Sequence, residues 1–157
     1  MSQATPATRA LAAAGIAFTV HRYDYDPGAE RVGLQAAEAL GEAPQRVLKT
    51  LMALVDGKPV CAIVPSDREV AMKKLAAAFG GKSAEMMKPA EAERLTGYKV
   101  GGISPFGQRR VVPTAIEQSA LQEDLVYVNG GQRGLQIRLD PGAIPATFGA
   151  VAVPLVA

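Results

Sequence analysis

Two apolar stretches joined by Asp56-Gly57 constrain the fold of this chain more than any other feature. The stretches are "VLKTLMALV" at 47–55 and "KPVCAIVP" at 58–65. The Asp-Gly pair favours a two-residue hairpin between strands. Alternate residues of a strand share a face. In the first stretch neither face has the polar residues of a solvated surface, so we predict a strand that is buried on both sides.

Lys49 interrupts this apolar pattern. It shares its predicted face with Val47, Leu51 and Val55, whereas Thr50 belongs to the opposite face. A buried ammonium needs a partner or a lowered pKa. Two interpretations follow from the residues alone. The side chain reaches solvent or pairs with a carboxylate, or it presents a cation to an anionic or ester substrate.

The remaining pattern alternates between helices and strands. A polar loop with Pro and Gly is predicted at 23–33. The best helical pattern spans 66–81, where Ser66 and Glu69 have the spacing of a capping box. Other predicted helices cover 5–15, 34–41, 88–97 and 141–149, and further strands cover 16–23, 109–117 and 125–140. We therefore predict one mixed α/β domain over 1–157 whose sheet has antiparallel parts.

Composition excludes several classes of protein. The net charge of +2 is too small for a strongly basic nucleic-acid binder, and 5% aromatics argue against extended base stacking. Cys61 lies in an apolar stretch and is predicted to be a small buried hydrophobe. His21, the single histidine, is predicted to be structural. We expect a cytoplasmic protein, because no apolar run reaches the length of a membrane span. With a single cysteine and no cluster of zinc ligands, we expect no metal, and no other cofactor is expected.

Two glycine-rich loops, 100–108 and 129–134, could bring backbone N–H groups close to a substrate oxygen. Neither is a nucleotide-binding motif, because Gln108 and Arg109 stand where a P-loop needs Lys and Ser or Thr. Taken alone, each loop is more often an ordinary turn. Arginines beside the loops could contact phosphates or form a solvated face: Arg109, Arg110, Arg133 and Arg138.

Four segments together resemble the YbaK/EbsC family of aminoacyl-tRNA deacylases. They are "FTVHRYDYD", "VLKTLMALVDG", "TGYKVGGISPFGQRRVVPTAIE" and "VYVNGGQRGLQIRL", in the family's order and spacing. The resemblance covers nearly the whole chain. It implies a mixed α/β fold with a barrel-like sheet surrounded by helices, related to the editing domain of prolyl-tRNA synthetases. It also implies that Lys49 is the functional lysine.

The resemblance further implies a pocket for the aminoacyl end of tRNA. Its candidate substrate-binding residues are Tyr23, Gly101, Gly102, Ile103, Ser104, Asn129, Gly130 and Gln136. Asn129 and Gln136 depart from the Ser and Asp that are common at these positions, which bears on the choice of amino acid.

The implied reaction is hydrolysis of Cys-tRNA(Pro) at its 3′ end, without a cofactor. Alternatives are the same chemistry on Ala- or Ser-tRNA, or a non-catalytic module that binds tRNA or a synthetase. The partners expected are aminoacyl-tRNA, above all the tRNA(Pro) 3′ end, and a prolyl-tRNA synthetase. No membrane or DNA partner is expected.

Overall fold

A computed structural model describes residues 4–28 and 32–157. The helices are α1 (Pro6–Ala13), α2 (Val32–Leu40), α3 (Met72–Ala78), α4 (Pro89–Thr96) and α5 (Ala143–Phe148). The strands are β1 (Thr19–Arg22), β2 (Leu48–Val55), β3 (Lys58–Pro65), β4 (Ala84–Met86), β5 (Thr114–Glu117), β6 (Val126–Asn129), β7 (Leu135–Leu139) and β8 (Val151–Val153). Each predicted element is present with shifted bounds. The loop predicted at 23–33 is shorter, because α2 already begins at Val32, and residues 29–31 lie outside the described part.

The strands form two sheets. A five-stranded sheet has the order β4-β2-β3-β5-β8, and a three-stranded antiparallel sheet has the order β1-β7-β6. β2 pairs antiparallel with β3 and β4, whereas β3–β5 and β5–β8 are parallel. The mixed α/β prediction is confirmed. The barrel-like closure is not: the two sheets meet at one parallel bridge, between Val47 and Tyr127.

The hairpin between β2 and β3 is confirmed at Asp56-Gly57. Both residues have positive φ, 50° and 80°, as a type I′ turn requires. The Asp56 carboxylate accepts the backbone N–H groups of Lys82 and Ser83 at 3.0–3.2 Å. It thereby ties the hairpin to the segment that leads into β4.

The capping box predicted at Ser66 and Glu69 is wrong. The helix begins only at Met72, and its N-cap, Ala71, makes no side-chain cap. Ser66 is buried instead. Its hydroxyl donates to the Pro44 carbonyl at 3.1 Å, and its amide donates to the Val47 carbonyl. These long-range partners replace the local ones that a capping box needs.

The two faces of β2 pack into different clusters, as predicted. Leu48 and Met52 belong to the larger core cluster, whereas Ala53 and Val55 belong to a second cluster beneath α3. Glu117, at the end of β5, is 4% exposed and accepts the amides of Leu155 and Val156. The apolar tail is therefore fixed against the sheet.

Candidate functional site

The three-stranded sheet has one apolar face and one polar face. Its apolar face packs into the larger core cluster through Val126, Val128, Ile137 and Leu139. The register pairs Asn129 with Gln136, and Gln136 with His21, so these three side chains share the opposite face. Tyr127 lies on the same polar face, where its ring meets His21 edge-on at 5.2 Å. This polar face is one wall of the candidate site.

Lys49 reaches this wall from the neighbouring sheet. It lies two residues beyond Val47, and Asn129 lies two residues beyond Tyr127, so the parallel bridge between Val47 and Tyr127 brings the two side chains to the same region. The Lys49 side chain is 22% exposed, and its Nζ lies 3.9 Å from an oxygen of Glu69. Because Glu69 is 81% exposed, the pair is a weak, solvent-screened one.

A cavity of about 390 Å³ opens between the sheets, the start of α4 and the first glycine loop. Six of the nine predicted site residues line it: Tyr23, Lys49, Gly101, Ile103, Asn129 and Gln136. Apolar side chains form much of the remainder: Leu48, Leu51, Met52, Met86, Met87 and Ala92. The arrangement is a mostly apolar pocket with a few convergent polar groups, which is typical of a small-ligand site.

The other three predicted residues do not line the cavity but shape its walls. A Cβ on Gly102 would lie 2.7 Å from the Arg133 nitrogen, so the two glycine loops touch only because this residue lacks one. Gly130 is similarly crowded by the Leu135 side chain. Ser104 is fully buried, and its hydroxyl accepts the Phe106 amide at 3.3 Å.

Asn129 ties the two glycine loops together. Its Nδ2 donates to the Gly101 carbonyl at 3.1 Å, and its Oδ1 accepts the Gly131 amide at 2.7 Å. Both ends of this amide therefore have protein partners. Asn129 therefore holds the two glycine loops together at the cavity wall.

Tyr23 and Gln136 differ in how they are satisfied. Burial, followed by the nearby Tyr25 hydroxyl, raises the pKa of Tyr23, and a hydrogen bond with Gln136 lowers it. Gln136 is 4% exposed, and its Oε1 has no hydrogen-bond partner within the described part of the chain.

The single cysteine and the single histidine of the chain lie outside this cavity. Cys61 is fully buried, and burial raises the pKa of its thiol to about 12, which favours the inert form. His21 hydrogen-bonds Thr19 through Nε2 at 2.8 Å. Across residues 4–28 and 32–157 no three metal-ligating side chains cluster, and no helix is long and apolar enough to span a bilayer.

The four candidate arginines are not brought together. Arg133 donates to the Val100 carbonyl at 2.9 Å, with its guanidinium 5.4 Å from the centre of the Tyr25 ring. Arg109 is held against α4 through the Thr96 carbonyl. Arg138 lines a separate polar cavity. Arg133 is thus the one that borders the loop forming the cavity mouth.

The sequence interpretation missed Thr50, Met86 and Met87, which also line the cavity. Thr50 points to the face opposite Lys49, and strand periodicity gave no reason to place both in one pocket. The cavity wraps around the edge of β2, and a strand edge leaves no periodic signal in the sequence.

Comparisons with known proteins bear on the family and the fold of this chain. The family model described as aminoacyl-tRNA editing domain matches residues 27–145. EbsC of Enterococcus faecalis, described as a candidate Cys-tRNA(Pro)/Cys-tRNA(Cys) deacylase, is 41% identical over 109 residues, which cover 69% of this chain and 66% of EbsC. A proline–tRNA ligase of Nitratidesulfovibrio vulgaris is 36% identical over 129 residues, which cover 82% of this chain and 21% of the ligase. The chain thus spans just under two thirds of the first relative and about a fifth of the second.

Solved structures share the architecture. A candidate trans-editing enzyme for prolyl-tRNA synthetase superposes with a TM-score of 0.84 at 24% identity, covering 99% of both chains. A protein described as hypothetical superposes with a TM-score of 0.86 at 22% identity, covering 98% of this chain and all of its own. At these identities the superpositions establish the fold.

Proposed function

The chain belongs to the aminoacyl-tRNA editing domain family, and we propose that it is a trans-editing hydrolase that removes cysteine from mischarged Cys-tRNA(Pro). The bond to be cut is the ester that joins the amino acid to the terminal ribose. A synthetase pocket rejects a smaller amino acid by only about 1–3 kcal/mol per methylene, so a second pocket that hydrolyses the wrong ester restores accuracy. The relative described as a candidate deacylase of Cys-tRNA supports this choice of substrate.

One observation carries the proposal: the cavity joins the lysine of β2 to both glycine loops and to Tyr23. Its volume suits the aminoacyl end of a tRNA, not a whole nucleic-acid surface. The modest net charge of +2 agrees with a local grip on the 3′ end.

Lys49 is the proposed anchor. Its ammonium would hold the 3′-terminal phosphate or the ester oxygens. A phosphate that accepts several hydrogen bonds is a better partner for the ammonium than the exposed Glu69 carboxylate at 3.9 Å. Substrate binding would then displace a weak protein ion pair at little cost.

The nucleophile need not come from the protein. Among the described residues lining the cavity there is no Cys, His, Asp or Glu. In the proposed route the substrate's own thiol attacks the ester carbonyl carbon, a C–S bond forms as the ester C–O bond breaks, and the ribose oxygen leaves as a hydroxyl with the thiol's proton. The cysteine departs as a four-membered cyclic thioester, which water then opens to the free amino acid. Holding the thiol in line is catalysis by proximity.

The developing oxyanion needs a donor, and one sequence-based candidate is already occupied. The Gly102 amide donates to the Lys99 carbonyl at 2.8 Å. Gly101 lines the cavity with φ of 90°, and its amide remains the proposed donor on this loop.

The test replaces Lys49 by Ala and measures deacylation of Cys-tRNA(Pro) in trans. We expect a loss of at least about 100-fold, the scale of removing one preorganised charge stabiliser. Lys73→Ala, on an exposed position of α3, is the matched control and should keep full activity. Unchanged hydrolysis by a folded Lys49→Ala protein would remove Lys49 from the mechanism.

A second substrate class is favoured by Gln136. Its neutral amide stands where the resembled family commonly has a carboxylate, and the cavity is lined mainly by apolar groups. Ala- or Ser-tRNA, with a positioned water as nucleophile, would suit such a pocket. A panel of mischarged tRNAs decides: if Cys-tRNA(Pro) is hydrolysed no faster than Ala-tRNA(Pro), cysteine is the wrong choice.

Prolyl-tRNA synthetase is the proposed partner, supported by the match to part of a proline–tRNA ligase. Adding the synthetase should raise selectivity for tRNA(Pro) in the same assay. Tight binding of mischarged tRNA with no turnover would instead identify a non-catalytic binding module.

A further inference from the structure

Two buried polar atoms of the cavity have no hydrogen-bond partner among the described residues: Thr50 Oγ1 and Gln136 Oε1. Both residues line the same cavity. A buried acceptor without a donor is destabilising, and native structures hold few of them. Because both atoms belong to residues of one pocket, a polar ligand group bound there is a candidate to complete their hydrogen bonds.

The backbone at Thr50 is also directed toward this pocket. On the side that faces β3, the Val47 carbonyl accepts the Ser66 amide. On the opposite side, which faces β4, the Met52 carbonyl accepts the Met87 amide. Backbone groups of successive strand residues alternate between the two neighbours. Thr50, two residues before Met52, therefore directs its N–H and C=O away from β3.

No described strand covers that side of β2 at Thr50. β4 pairs with β2 only at 53–55, and the one bridge toward β6 joins Tyr127 to Val47, the residue just before β2. The gap between these two contacts is where the cavity lies, with Leu48, Thr50 and Met52 along its floor. The alternation of the strand therefore directs one backbone donor and one backbone acceptor of Thr50 toward this gap.

We propose that the aminoacyl group binds this edge as a single added strand residue, an inference that rests on the proposed function. Its ester carbonyl accepts the Thr50 N–H, and its α-amino group donates to the Thr50 carbonyl. Thr50 Oγ1 and Gln136 Oε1 accept the remaining amino hydrogens. Thr50 is therefore a recognition residue for the part of the substrate that every aminoacyl ester shares, and side-chain selection is left to the apolar wall.

The arrangement also gives the ester carbonyl a second donor. A strand N–H that meets the carbonyl in the ground state remains aimed at the same oxygen as negative charge develops there. Together with the Gly101 amide it would bracket that oxygen from two sides of the cavity.

The test measures binding, so that it does not depend on hydrolysis. The probes are 3′-alanylamino-3′-deoxyadenosine and the matching propionyl compound, which lacks the α-amino group. We expect the wild-type protein to bind the alanyl probe about tenfold more tightly, the scale of a hydrogen bond to a buried acceptor. Thr50→Val should lose most of this preference, whereas Thr50→Ser, which retains the hydroxyl, should keep it.

Two further variants make the result decisive. Thr114→Val is the matched control, because the Thr114 hydroxyl is satisfied by the Val112 carbonyl outside the cavity. Replacing Thr50 by its α-hydroxy analogue turns the peptide N–H into an ester oxygen and should weaken both probes by a similar factor. Equal binding of the two probes, or a preference that Thr50→Val leaves intact, would overturn the inference. Wild-type failure to hydrolyse any mischarged tRNA would reject the proposed function separately.

Discussion

The two ends of β2 differ in whether their polar groups have hydrogen-bond partners. At the hairpin end the strand is paired on both sides, and the Asp56 carboxylate takes two backbone amides. At the cavity end one edge is open, Thr50 Oγ1 has no partner among the described residues, and Lys49 has a weak pair with an exposed carboxylate. One strand thus combines a satisfied region that stabilises the fold with an unsatisfied region suited to a ligand.

The largest loss of stability should come from a packing change at the cavity end of β2. Gly102→Ala places a Cβ against the backbone of Gln132 and Arg133, so we expect the free energy of unfolding to fall by about 1–3 kcal/mol. Deacylation should fall further, since the displaced loop forms the cavity wall. Urea denaturation and the deacylation assay measure the two effects.

Gly57→Ala is the counterpart at the hairpin end. Its φ is 80°, but nothing lies within 4 Å of the added Cβ, so it should cost about 1–2 kcal/mol of backbone strain and leave activity unchanged. If the two alanine variants impaired deacylation equally, the division of roles between the ends would be wrong.

Asn129→Ala should have the next largest effect on stability. It removes the hydrogen bonds to Gly101 and Gly131, and we expect a loss of about 1–2 kcal/mol. Asn129→Asp keeps the acceptor for Gly131 but cannot donate to the Gly101 carbonyl. Deacylation by Asn129→Asp at the wild-type rate would show that the Gly101 contact does not shape the cavity.

Lys49→Met should separate function from stability most clearly. The substitution keeps the length of the side chain and removes a weak pair, so the free energy of unfolding should change by less than about 1 kcal/mol. The deacylation rate should nevertheless fall by at least about 100-fold, as for Lys49→Ala. A large destabilisation without a specific loss of activity would make Lys49 a structural residue, as the alternative interpretation of the sequence held.

The smallest effect should be a pH dependence at the hairpin end. The hydrogen bonds from the Lys82 and then the Ser83 amide lower the pKa of Asp56. A carboxyl whose folded pKa is depressed stabilises the fold above its unfolded pKa, and this contribution is lost as the pH falls through the folded value. Asp56→Asn, which tolerates the same backbone angles, should flatten the acid limb of a melting-temperature curve. An identical acid limb in both proteins would contradict this assignment.

Local patterns predicted much of this fold. The Asp56-Gly57 turn closes the hairpin as predicted, because the signal lies within a few residues of its effect. Ser66 shows the limit of such rules. Its spacing to Glu69 is that of a capping box, but partners from Pro44 and Val47, distant in sequence, claim its hydroxyl and amide instead.

The sequence likewise predicted some residues of the candidate site and missed others. Periodicity predicted a largely buried strand around Lys49, and six of the residues implied by the family resemblance line the cavity. The role of Thr50 could not be predicted, because periodicity assigns side chains to faces and says nothing about which strand edge stays unpaired. The open barrel has the same origin, since closure depends on pairing between distant strands.

The open edge of β2 also bears on self-association. An unpaired strand edge is a template for pairing with another chain, and proteins protect such edges by keeping them short or covered. Here the exposed ladder is confined between the bridge at Val47 and the β4 pairing at Ala53, at the floor of a cavity. A ligand one residue long can reach it, whereas a foreign strand would first have to displace α4 and the glycine loop. The recess that admits a substrate therefore also guards against aggregation.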